Sequence, residues 1–176
     1  MNRKNNEKLI FSLLLANSLL INLPAFSAST VTLNFKGNIK AATCNISGGN
    51  NIDIDLKRMP VDLFSQPQSG SDWKQFNIDM NNCSSYINQI VLTFSGTADT
   101  NNINSLYKNM GTAKNIAVQL ESGNGITPLG NQKVLQVPLS GQNSLSIPLR
   151  TRAFSALGNA SAGTVSANIT ATITYL

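Results

Sequence analysis

The sequence predicts an all-β sandwich. Short runs that alternate apolar and polar residues recur along the chain, turn residues interrupt them roughly every 8–15 residues, and no long 3.6-residue pattern intervenes. Charged residues make up 12% of the chain, about half of the usual soluble share, with Asn, Ser and Thr in their place. A chain of 176 residues can bury one substantial core, and nothing in the pattern marks a linker or an internal repeat.

The first segment reads as a targeting signal. Arg3, Lys4 and Lys8 form a basic start, residues 9–23 are mostly apolar, and Ala25 and Ser27 are small residues placed for cleavage before Ala28. The apolar run is shorter than the roughly 20 residues that a spanning helix needs, which favours a signal peptide over residues 1–27 rather than an anchor. Removing it leaves a net charge of about +3. The remaining cations are scattered, and no basic stripe interleaved with aromatics points to nucleic acid.

Residues 30–40, TVTLNFKGNIK, alternate: Val31, Leu33, Phe35, Gly37 and Ile39 share one face. The glycine in the apolar row is unusual, because it leaves nothing to pack there. Residues 42–46, around Cys44, read as a strand that turns at Ser47-Gly48-Gly49. Ile52, Ile54 and Leu56 alternate with Asp53, Asp55 and Lys57 as a short amphipathic strand. With no third ligand at loop spacing, Asp53 and Asp55 read as a solvated face and not as a metal pair. Residues 57–72 are irregular.

Phe76, Ile78 and Met80 mark a strand running towards Cys83, and residues 90–94 mark the next one, ended by Ser95-Gly96. Residues 97–114 are polar and loop-like, with a helical turn expected near Leu106 and Tyr107. Residues 116–120 form a strand with a mostly buried face, and residues 123–130 turn. Residues 134–139 are expected at a sheet edge, since Pro138 removes a ladder donor. Leu145, Ile147 and Leu149 lie on one face of a further strand, and residues 154–162 read as a small-residue turn. Four Asn-X-Ser/Thr triplets, at Asn45, Asn82, Asn159 and Asn168, read as chance in a chain of this composition.

The final stretch, GTVSANITATITYL, has the strictest alternation. Val165, Ala167, Ile169, Ala171, Ile173 and Tyr175 form the apolar row, with Thr, Ser and Asn between them. It is expected to be a strand with an uncovered edge, and a long apolar edge needs a partner or it aggregates.

The chemistry is that of a scaffold. Two cysteines, Cys44 and Cys83, in an exported chain point to one disulfide. The absence of His removes the commonest general base and the usual Ser or Cys triads. No phosphate-binding glycine loop follows a strand. No catalytic residue, cofactor or metal site is expected.

Taken together, these residues resemble the type 1-like subunits of chaperone–usher fimbriae. The resemblance rests on Phe35-Lys36-Gly37 and Ile39 ahead of Cys44, on Cys83 after a strand, on Gly163 fourteenth from the end and on the penultimate Tyr175. It implies an immunoglobulin-like β-sandwich lacking its seventh strand, completed by a donor strand from a chaperone or a neighbouring subunit. It divides the chain into a signal peptide (1–27), a donor-strand extension (28–40) and a pilin domain (41–176). Val31, Leu33, Phe35, Gly37 and Ile39 would be the groove-entering donor positions, with Gly37 where the recipient groove is shallow. Gly163, Val165, Ala167, Ile169, Ala171, Ile173 and Tyr175 would form the acceptor strand that the chaperone binds.

The implied partners are a periplasmic pilus chaperone, an outer-membrane usher and neighbouring pilins. The implied location is a fimbria on the surface of a Gram-negative bacterium. The short stretch between Ala28 and Gly37 resembles adaptor-type minor subunits more than major rod pilins, and the chain has no room for the extra lectin domain of a tip adhesin. A self-complete secreted module, such as a single-domain lectin, is the competing expectation.

Overall fold

The computed structural model describes residues 30–39 and 41–176, which belong to two units divided after Ile39. The expected signal peptide, and Lys40 of the expected extension, lie outside the described residues. Residues 30–39 carry neither helix nor strand, and Val31, Leu33, Phe35 and Ile39 are all highly exposed. The alternation there predicts a strand, but a strand requires a ladder partner, and none pairs with this segment among the described residues.

The regular secondary structure of the second unit is almost wholly strand. In chain order they are β1 (Asn45–Ile46), β2 (Ser69–Gly70), β3 (Lys74–Asn81), β4 (Gln89–Gly96), β5 (Leu106–Lys108), β6 (Ala117–Ser122), β7 (Val134–Pro138), β8 (Leu145–Ser155) and β9 (Ile169–Tyr175). A short 3-10 turn, Val61–Phe64, lies between β1 and β2. The larger sheet has the order β1-β3-β8-β6-β5, with β2 also on β8, and the smaller has the order β7-β4-β9. Every pairing is antiparallel.

The core lies between the two sheets. Ile78 and Met80 of β3, Val118 and Leu120 of β6, and Ile147 and Leu149 of β8 come from the larger sheet, and Ile90, Leu92 and Phe94 of β4 come from the smaller. The period-two pattern places them all on inner faces. Cys44 and Cys83 are disulfide-bonded and buried, as the cysteine count predicts. On the outer face of the larger sheet, the guanidinium groups of Arg150 and Arg152 stack on Trp73, 4.1 and 4.3 Å from the ring centroid. Arg150 also pairs with Glu121 at 2.7 Å, so the cluster laces β8 to β6 and to the approach to β3.

Several elements of the second unit differ from the sequence reading, among them β2 and the 3-10 turn, which fall where residues 57–72 read as irregular. The strand expected at 42–46 shrinks to Asn45–Ile46. Residues 52–57 form no ladder; their alternation is real, but no strand pairs with them among the described residues. The helical turn expected near Leu106 and Tyr107 is strand β5. Tyr107 enters the main core, whereas Leu106 enters a second cluster with Ala117 and Phe154. Burial of both neighbours hides the strand period in the sequence. For the same reason β8 runs on to Ser155, through Phe154, where a turn is expected. β7 is a sheet edge, as Pro138 predicts.

Candidate functional site

The candidate site is an open groove of about 1350 Å³ between two stretches of chain that pair with nothing across it. Residues 163–173 form one wall. Residues 49–59 form the other. Phe76, Ile78, Phe94, Val118, Leu120 and Leu149 contribute the floor, so the groove opens directly onto the core.

The first wall follows from its own sequence. Val165, Ala167, Ile169, Ala171, Ile173 and Tyr175 are half-buried and pack on the core, while the residues between them are exposed. The equivalent side chains of β4, Ile90, Leu92 and Phe94, are almost fully buried. The difference arises because β4 is covered on both sides, by β7 and β9, whereas β9 has a strand on one side only.

The backbone of this wall has a defined polarity. Gln89 and Leu176 exchange both hydrogen bonds, at 2.9 and 3.0 Å. Bonded pairs alternate in an antiparallel ladder, so Thr174, Thr172 and Thr170 bond to Val91, Thr93 and Ser95. The N–H and C=O groups of Ile173, Ala171 and Ile169 therefore point the other way, into the groove. Upstream, Met110 N–H donates to the Ser166 carbonyl at 2.8 Å, and Ala113 N–H donates to the Thr164 carbonyl at 3.1 Å. The same alternation leaves Val165 and Ala167 facing the groove. Five residues in alternate positions thus turn free backbone along the open edge while their side chains pack on the core face.

Gly163 starts this wall, where a Cβ would collide with the backbone of Ala113. Tyr175 ends it; its hydroxyl donates to the Cys44 carbonyl at 3.3 Å. The expected acceptor residues therefore lie along one edge. The strand itself is shorter than residues 163–176, because β4 ends at Gly96 opposite Ile169. A loop, residues 109–113, replaces β4 beyond that point.

The second wall was not legible as part of a site. Ile54, Leu56 and Met59 are half-buried along it, and residues 49–59 make no backbone–backbone hydrogen bond within the fold. Asp53 and Asp55 sit exposed on its outer side. Hydrogen bonds from Lys57, including an ion pair of 2.9 Å, hold the Asp55 carboxyl below its ordinary range. Among the described residues no cluster of His, Cys, Asp or Glu could hold a metal. The groove's chemistry is that of unpaired backbone over apolar side chains, which suits an added β-strand.

Known proteins resemble this chain in sequence and in fold. The family model described as "Fimbrial protein" matches residues 33–176. The S-fimbrial adhesin protein SfaS of Escherichia coli O6:K15:H31 (strain 536 / UPEC) is 34% identical over 158 residues, covering 89% of this chain and 93% of that protein. Protein FimG of Escherichia coli (strain K12) is 33% identical over 162 residues, covering 92% and 94%. Among solved structures, the P pilus rod subunit PapA superposes with a TM-score of 0.62 at 18% identity, covering 76% of this chain and 99% of that one. That likeness shows a shared immunoglobulin-like fold.

Proposed function

The chain belongs to the fimbrial protein family, and from that we propose that it enters its fibre by taking a β-strand from another molecule into the groove and giving residues 31–39 to the groove of a neighbour. It is a fimbrial pilus subunit of chaperone–usher type, a structural protein and not an enzyme. In the proposed cycle a periplasmic chaperone fills the groove first, an outer-membrane usher receives the complex, and the extension of the next subunit replaces the chaperone strand. The fold would then be an immunoglobulin-like sandwich short of one strand, supplied from outside.

The observation that carries this reading is the free edge of Val165, Ala167, Ile169, Ala171 and Ile173, which faces an unpaired wall across an apolar floor. Its span of eight residue steps, about 27 Å of extended chain, equals that from Val31 to Ile39. Each backbone group in the edge can gain a hydrogen bond, and each alternate side chain of the incoming strand can enter the floor. Within the fibre we assign the chain a minor, adaptor-type role that supports cell adhesion. The short stretch between Ala28 and Gly37 supports the adaptor-type role, and the relative named S-fimbrial adhesin supports the link to adhesion.

Deleting residues 28–40 tests the reading. The shortened chain should still fold and co-purify with the chaperone, while losing the ability to extend the fibre. If the deletion unfolds the chain, residues 28–40 belong to a self-complete domain and the assignment fails.

A further inference from the structure

We propose that Asn109 is a positioning residue of the strand-accepting edge: it holds residues 164–167 extended from behind, so that Val165 and Ala167 can present their backbone to an incoming strand. The proposal rests on the groove being a strand acceptor. Asn109 itself does not line the groove.

The need for such a residue comes from the end of β4. Opposite Ile169 the β4 strand stops at Gly96, where a Cβ would sit 2.8 Å from the Asn168 carbonyl and 2.9 Å from the Tyr107 ring. Upstream of Ile169 the wall has no ladder partner in its sheet, yet Val165 and Ala167 keep the half-buried alternation of β9. Residues left without a ladder would lose that conformation at little cost.

The backbone N–H groups of Met110 and Ala113 reach the Ser166 and Thr164 carbonyls, and Asn109 reinforces that partial pairing with a single amide. Its Oδ1 accepts from Gly111 N–H at 2.9 Å and from Ser166 N–H at 2.8 Å. Its Nδ2 donates to the Ala113 carbonyl at 2.9 Å and to the Thr164 carbonyl at 3.2 Å. A primary amide offers two donor hydrogens and two acceptor lone pairs, and all are used here. Two of the bonds shape the 109–113 loop, and two grip the wall. A carboxylate could accept but not donate, and an alanine could do neither. Thr112 adds a second grip, with its N–H on the Thr164 hydroxyl at 3.0 Å and its own hydroxyl taking the Thr164 N–H at 2.9 Å. Gly111 permits the closeness, since a Cβ there would collide with the Thr164 carbonyl. Every bond from this loop to the wall falls on Thr164 or Ser166, which leaves the groove-facing groups of Val165 and Ala167 free.

The test compares the wild-type chain with Asn109→Ala and Asn109→Asp, using a peptide of residues 31–39 and two shortened forms, 31–35 and 35–39. Both variants should exchange the amide hydrogens of Met110, Ala113, Thr164 and Ser166 about tenfold faster, with those of Thr170, Thr172 and Thr174 unchanged. They should bind the full peptide about tenfold more weakly, and the loss should appear with one shortened peptide and not with the other. Unchanged exchange, unchanged affinity for a peptide that wild type binds, or equal losses for both shortened peptides would overturn the positioning role. Failure of the wild-type chain to bind any of the peptides would instead count against the strand-acceptor reading.

Discussion

At the scale of single residues, the account makes two predictions. Ile173 packs on the core with its backbone towards the groove. In Ile173→Asp the charge can stay hydrated while the groove is open, but a covering strand would bury it unpaired, at about 3 kcal/mol. A donor peptide should therefore bind at least about a hundredfold more weakly, as measured by titration, with little change in the far-ultraviolet spectrum of the free chain. Tyr107 tests the core. Its hydroxyl donates to the Leu129 carbonyl at 2.9 Å, and burial raises its ionisation well above the ordinary value of 10.0. The neutral phenol is the form the fold favours, so its stabilisation is fully present below about pH 10. It is lost as the pH rises further, because the unfolded chain releases that proton first. Tyr107→Phe should lower stability at neutral pH by about 1–2 kcal/mol, through the orphaned carbonyl. It should also flatten the alkaline fall in melting temperature above about pH 10.

At the scale of elements, the disulfide and the strand edges carry the argument. The Cys44–Cys83 bond ties the entry to β1 to the turn after β3 and closes a sequence separation of 39 residues. Replacing both cysteines with alanine should cost about 4 kcal/mol on the chain-entropy account, read as a lower midpoint in urea. This bond was legible from cysteine count and compartment, and β3, β4, β6, β7 and β9 were legible from their alternation. β5 was not, because Leu106 and Tyr107 are buried in different clusters, and no period-two signal survives in so short a strand. The far end of β8 was hidden in the same way by Phe154, which is buried on the outer face. Residues 52–57 show the opposite failure. Their alternation announces a strand, but no neighbour pairs with it among the described residues. The alternating row from Val165 to Tyr175 was legible residue by residue, and the structure places it along one sheet edge. The Asn109 grip was not, since an asparagine in a polar loop carries no periodic signal.

At the scale of the whole molecule, the two walls of the groove and the alternating segment 31–39 make one proposal. In that proposal each subunit would lack one strand and carry another, so a chain of subunits could fill every groove but the last. The open groove exposes apolar floor that a monomer would not keep uncovered, which is why a chaperone is the expected first occupant. The central claim is that an added strand pairs with the groove-facing backbone of residues 165–173. Amide hydrogen exchange measures this directly, in the presence and absence of a peptide of residues 31–39 or the extension of a neighbouring subunit. On binding, the amides of Val165, Ala167, Ile169, Ala171 and Ile173 should slow by at least about a hundredfold, while those of Thr170, Thr172 and Thr174, already paired with β4, change far less. Binding that leaves those five amides as fast as before would contradict the account.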